Sequence, residues 1–283
     1  MQFDPRPQGT EANSAVFAAG VVFGIEVTIP ALAGRCTVNL DHHGRQDTAE
    51  TPSACEQALT CGLPETGATL ATVRPDADSV TAMAVILNRS LGRGIDTGMV
   101  QAVGKFDRMG PSGGEVGAFV RAIGRKAFDF KLSLEQRVEW VADLLAGVDK
   151  SEEIALLNSA HTTELKAARE ASKLSLHAGK RIAAVVSNHR YATTLGYENA
   201  PVVVAQNPEM PVDLKDPAKG TYVKYTVCRY DSHTPCDLPT ALIELQGLEA
   251  GWGGRGGVFG SPQGISSTLT IEQVIEVVSR HLK

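Results

Sequence analysis

The chain has 283 residues, 43% of them hydrophobic, enough for a sizeable core, and a net charge of −5. That charge argues against general affinity for duplex nucleic acid, which rests on neutralising many phosphates, and no run approaches the roughly twenty apolar residues of a membrane span. Five cysteines, at 36, 55, 61, 228 and 236, are odd in number and lack a Cys-x-x-Cys pair, so neither a disulfide framework nor a zinc ribbon is indicated. The acidic residues Asp4, Glu11 and Glu26 do not suit a secretory leader, and cytoplasmic residence is the expectation.

In chain order, 16–22 and 24–29 read as strands. The run 36–40 then ends in Asp41-His42-His43. A strand ending in one carboxylate and two imidazoles brings oxygen and nitrogen donors to one rim of a sheet, where a divalent metal such as Mn²⁺ or Zn²⁺ can be held. The same triplet can also open a polar loop whose imidazoles bond to backbone carbonyls. Next, 68–73 reads as a strand, Arg74-Pro75-Asp76-Ala77-Asp78-Ser79 as an acidic turn, and 80–87 as a buried helix. Asp78 or Ser79 as a helix cap is the ordinary reading of that turn. Alternatively Asp76 and Asp78, spaced by two on an extended segment, project the same way and need a cation between them. Residues 99–106 read as a helix end or strand leading to Asp107, either a bridging ligand or an ion-pair partner of Lys105 or Arg108.

Ser133-Leu134-Glu135-Gln136 has capping-box spacing, with Val138, Val141, Leu144 and Leu145 as an apolar face. A second helix is expected over 151–177, and the two together read as a connector. The runs 182–186, 201–205 and 221–229 read as strands, and 237–245 and 266–282 as helices. Asn188-His189-Arg190 follows the first of these strands, offering an acid or base in His189 and a phosphate clamp in Arg190, although an imidazole suits many structural sites too. Residues 251–264 contain seven glycines. Such a run is either a tight turn or a cradle of backbone N–H groups for phosphate or carboxylate oxygens, with Gly253, Gly254, Gly256, Ser261 and the forked cation of Arg255 as the contacts.

Asp41-His42-His43, Pro75-Asp76-Ala77-Asp78 and Asp107 together resemble the motifs of the DHH phosphoesterases, and 251–264 is similar to the glycine-rich motif of the DHHA1 domain that follows in that family. The resemblance implies an α/β fold: a mostly parallel catalytic domain over 1–130, a helical connector over 131–180, and a smaller α/β substrate-binding domain over 181–283. It also implies a hydrolase holding one or two divalent ions, usually Mn²⁺, on Asp41, His42, His43, Asp76, Asp78 and Asp107, with His42, His43 and Asp76 catalytic. The implied substrate is a small phosphorylated molecule or short oligonucleotide, cleaved at a phosphodiester or phosphoanhydride bond; no duplex nucleic acid or membrane is expected as a partner, and a homodimer is left open. Two departures stand out: the Asp-His-His triplet precedes the Pro-Asp-x-Asp motif, the reverse of the family order, and the glycine run lacks the family's His. A non-catalytic nucleotide- or anion-binding protein on the same scaffold, and a hydrolase of a non-phosphate substrate, are the alternatives.

Overall fold

The computed structural model describes residues 2–3, 20–43, 51–73, 75–109, 116–213, 216–230, 234–254 and 257–283. The fold is α/β, and the chain divides into two compact units, Met1–Ala160 and His161–Lys283.

In the first unit, strands Gln2–Phe3 (β1), Val22–Ile25 (β2), Val38–Leu40 (β3) and Thr69–Thr72 (β4) form a sheet in the order β1-β4-β2-β3. Every pairing in it is parallel. A parallel strand with both faces covered is apolar throughout, and β2 is buried at all four positions. Phe23 and Ile25 point into the main core, whereas Val22 joins Val27, Leu32, Ala71 and Val73 in a smaller one on the other face. Beside that smaller cluster lies the short helix Pro30–Ala33 (α1).

The main core is built from Ala54–Ala58 (α2), Ala77–Leu91 (α3), Thr97–Met109 (α4), Ala118–Ala127 (α5) and Leu134–Leu145 (α6). Helix α3 is buried nearly all round, as its continuous apolar sequence requires. Helix α6 opens on the Ser133 and Gln136 capping box that the sequence signals. Its Val138, Val141, Leu144 and Leu145 lie in the first unit's core, so α6 belongs to that unit.

Two expected strands differ in extent. The first, 16–22, lies mostly outside the described residues. The second, 24–29, is cut short: β2 stops at Ile25 because Glu26 turns the backbone with a φ of 51°.

The long helix Ser151–Ala171 (α7) ends before the expected 177, and Lys173–His177 is a strand, β5. Leu174 and Leu176 alternate with polar neighbours, a period of two that pairs antiparallel with Ile182–Val186 (β6). Ala178, Gly179 and Lys180, all at positive φ, make the turn between them.

Val202–Pro211 (β7), Thr221–Arg229 (β8), Gly253–Gly254 (β9) and Val258–Gly260 (β10) complete a mixed six-stranded sheet, ordered β5-β6-β7-β8-β10-β9. Only β6 and β7 pair in parallel. Alternate residues feed two cores. Val202, Val204, Tyr225 and Val227 face the cluster completed by Leu238–Leu248 (α9) and Ile271–Arg280 (α10). Val185, Val203 and Cys228 pack with Ala192 of the short helix Ala192–Tyr197 (α8). Among the described residues no helix is long and apolar enough to cross a membrane.

Candidate metal centre

Parallel strands end at one edge of their sheet, and the residues that follow them gather there. Glu26 follows β2, Asp41-His42-His43 follow β3, and Pro75 and Asp76 lie just past β4. Ile25 is in register with Leu40, and the Glu26 N–H donates to the Leu40 carbonyl at 2.8 Å. Glu26 and the triplet are therefore side by side. Two helices add the rest: Asp78 sits in the first turn of α3 and Asp107 in the last turn of α4.

One imidazole nitrogen faces three carboxylates. His42 Nε2 lies 2.9 Å from Asp107 Oδ2, 3.3 Å from Glu26 Oε1 and 3.7 Å from Asp78 Oδ2. Donor atoms of Glu26, His42, Asp78 and Asp107 all fall within 4.8 Å of one another, and so do those of Glu26, His42 and His43. Glu26, His42 and Asp78 are buried, while the Asp107 side chain is 28% exposed and gives the site its access to solvent.

The electrostatics are those of crowded anions in a dry place. Burial, and then the charges of Asp76, Asp78 and Asp107, hold the Glu26 carboxyl well above the usual carboxylate range. Burial and Asp107 likewise push Asp78 up to about 6, against hydrogen bonds from Cys55 that pull it down. Both Glu26 oxygens are buried, with no cationic or neutral donor among the described residues completing a hydrogen bond to either, and the Asp76 carboxyl lies close beside them. Buried acceptors are rarely left so. A cation answers both the crowding and the empty lone pairs, and carboxylate oxygens with imidazole nitrogen suit Mn²⁺ or Zn²⁺. The residues present therefore fit a divalent metal.

No protein-family model matches the sequence. No curated protein matches it either. Among solved structures, the pGpG-specific phosphodiesterase PggH from Vibrio cholerae overlaps 96% of this chain and 88% of its own, at 10% identity and a TM-score of 0.45. An overlap of that quality fixes neither family nor chemistry.

Five of the residues singled out from the sequence lie at this edge: His42, His43, Asp78 and Asp107, with Asp76 beside the Glu26 carboxyl. Asp41 stands one step back. Its Oδ1 accepts from the His43 backbone N–H at 3.0 Å and lies 2.7 Å from His43 Nδ1, so it orients that ring. Burial would raise the Asp41 carboxyl, but these His43 contacts hold it below the ordinary range.

Asp76 and Asp78 do not project together from an extended segment, because the helix begins between them. Asp76 caps α3, accepting from the Ser79 N–H at 3.1 Å. Asp78 also anchors the start of α2, accepting from Ser53 Oγ at 2.8 Å and from the N–H groups of Ala54 at 2.7 Å and Cys55 at 2.9 Å. Asp107 is not paired with its neighbour Arg108, whose guanidinium forks onto Glu56 at 2.8 and 2.9 Å.

Glu26 is the residue that sequence reasoning missed. A signal was present: it ends the apolar run 21–25 as Asp41 ends 36–40, at the same rim of the same sheet.

In the second unit the proposed substrate contacts have other partners. Asn188 donates to Glu209 at 3.2 Å, and Arg190 pairs with Glu164 while lying 5.0 Å over the Tyr191 ring. His189 stacks on Tyr191 with centroids 5.3 Å apart, and its Nδ1 accepts from the Tyr191 N–H at 3.3 Å. Gly253 and Gly254 form β9, where a Cβ on Gly254 would lie 2.4 Å from Phe259 Cα. That close approach gives the sheet itself a need for glycine. Ser261 is buried, and its hydroxyl accepts from the Tyr225 N–H at 2.9 Å. Arg255 and Gly256 lie outside the described residues.

Proposed function

We propose that this protein is a divalent-metal-dependent hydrolase of the DHH phosphoesterase type, acting on a phosphodiester or phosphoanhydride bond of a small or short nucleotide-type substrate. One observation carries the reading: the buried Glu26 carboxyl, crowded by other acids, is set with His42, Asp78 and Asp107 at mutual donor distances within 4.8 Å.

Glu26, His42, Asp78 and Asp107 would hold one ion, and His43 together with Glu26 and His42 would contribute to one or two. Mn²⁺ suits this oxygen and nitrogen set. A divalent ion there supplies Lewis-acid polarisation of a phosphoryl oxygen and a water acidic enough to attack phosphorus. The chain's own residues do the remainder. Asp41 Oδ1 lies 2.7 Å from His43 Nδ1, the same nitrogen that faces Glu26 Oε1 at 3.5 Å, and so fixes the orientation of that ring. Asp107, the most exposed of the group, is the ligand nearest solvent, and His42 Nε2 beside it at 2.9 Å would face the same ion.

The test is Mn²⁺ binding by titration, followed by turnover of pyrophosphate, linear dinucleotides and bis-p-nitrophenyl phosphate with and without EDTA. We expect EDTA-sensitive hydrolysis of at least one substrate, lowered by His42→Ala and by Glu26→Gln by at least about 10–100-fold, the range already reached when only the support of a metal ligand is lost. Full activity in either variant, or in EDTA, would end the proposal; tight Mn²⁺ binding without turnover would favour a sensor on the same scaffold.

A further inference from the structure

We propose that Asn39 is a positioning residue for Glu26: its side-chain amide bridges both backbone groups of Val27 and so holds Glu26 in the left-handed conformation that turns its carboxylate onto His42. This rests on the metal-binding reading above and adds to it how the fold secures the ligand that the sequence did not advertise.

Glu26 sits at φ 51°, a region that residues with a Cβ enter only when their surroundings force them. The force comes from both sides. On the near side, the Glu26 N–H is tied to the Leu40 carbonyl at 2.8 Å. On the far side, the Val27 N–H donates to Asn39 Oδ1 at 3.1 Å and Asn39 Nδ2 donates to the Val27 carbonyl at 3.2 Å. The amide thus replaces the strand partner that Val27 loses when the chain turns at Glu26. Asn suits this clamp because one planar group carries an acceptor and a donor side by side.

Space for the clamp is reserved in the neighbouring strand. Gly24 is in register with Asn39, and a Cβ there would fall 2.6 Å from Asn39 Oδ1. Only a residue without a side chain lets the amide lie across β2. Asn39, Gly24 and Val27 therefore form one device whose product is the direction of the Glu26 carboxylate.

The experiment is a double-mutant cycle on the full chain, read as Mn²⁺ affinity by titration calorimetry, with circular dichroism of the metal-free proteins as the folding control. We expect Asn39→Ala to weaken Mn²⁺ binding about tenfold or more, the range seen when the support of a metal ligand is removed. Combined with Glu26→Gln it should add nothing, because the group it aims is gone. A merely structural Asn39 would lower thermal stability without that dependence on Glu26. Asn39→Ser, whose hydroxyl is too short to reach both Val27 groups, replaces Asn39→Ala if the latter does not fold. The proposal is overturned if Asn39→Ala or Asn39→Ser leaves affinity within roughly twofold of the parent, or weakens it equally in both backgrounds. If Glu26→Gln itself leaves affinity unchanged, the fault lies earlier, in Glu26 as a ligand, and the clamp falls with it.

Discussion

Glu26 bears two unfavourable terms at once, a left-handed backbone and a buried, crowded carboxyl. They are separable by substitution. Glu26→Ala and Glu26→Gly both remove the carboxyl, but only glycine accepts a φ of 51° without strain. We expect the metal-free Gly variant to exceed the Ala variant in stability by about 1 kcal/mol in urea unfolding, despite glycine's greater freedom in the unfolded chain. Equal stabilities, or a more stable Ala variant, would mean that position 26 is unstrained. From the sequence alone, Glu26 is one of three scattered acidic residues in the first forty positions. Asp41 and Asp76 share its place at a strand end, yet they caught attention because a second His or Asp stood beside them, whereas Glu26 stands alone. Chemistry carried by a lone residue shows itself only when register places it next to Leu40.

At the scale of elements, the centre depends on how α2 and α4 pack, because Ser53 and the first N–H groups of α2 hold Asp78. Gly104 of α4 makes this possible: a Cβ there would meet Ser53 Oγ and the Glu56 side chain at 2.6 Å. In an open helix, Gly→Ala gains about 1 kcal/mol. Here the collision reverses the sign, and we expect Gly104→Ala to destabilise the protein by roughly 1–3 kcal/mol, the usual range for overpacking. It should also weaken Mn²⁺ binding, because it disturbs the hold on Asp78. A stabilised variant with unchanged affinity would show that α2 yields freely. The capping box of α6 follows a local rule, which is why its start was legible; α3 is capped by Asp76 and not by the expected Asp78 or Ser79, and α10 begins at Ile271, after the expected 266. Helix α7 was overextended because Leu174 fits a helical spacing as well as a strand's, and only pairing with β6 decides between them.

At the scale of the molecule, the proposed metal would compete with protons for the same buried carboxylates. Asp78 rises from an ordinary carboxylate value to about 6 on folding. Over that interval the folded chain binds more protons than the unfolded one, so stability falls as pH rises. In EDTA we expect the unfolding midpoint to drop between roughly pH 4 and pH 6, with Glu26, raised likewise, adding to the same trend. Saturating Mn²⁺ should offset the loss most at neutral pH, where the ligands are deprotonated; a 100-fold excess over the dissociation constant contributes about 2.7 kcal/mol. A midpoint that climbs with pH in EDTA across this range would contradict the burial of Asp78. The two tryptophans fall in different cores, Trp140 in the first unit and Trp252 in the second. With Trp252→Phe leaving Trp140 as reporter, the Mn²⁺ shift should appear in full, and with Trp140→Phe it should be smaller.

The sequence by itself determined most of what is local. Alternation and apolar runs specified the strands at 182–186 and 221–229, capping residues specified the start of α6, and Asp41-His42-His43 marked the end of β3. These features depend on neighbours within a few residues, whose spacing is written in the chain. The tertiary structure alone decided which acidic residues meet. It gave Asp76 the cap of α3 and a place beside Glu26, set Asp41 to orienting His43, brought Asp107 to His42 while Arg108 forks onto Glu56, and brought in Glu26. Convergence of this kind comes from parallel strands ending at one edge and from helices packed against them, relations between distant residues that no local spacing encodes.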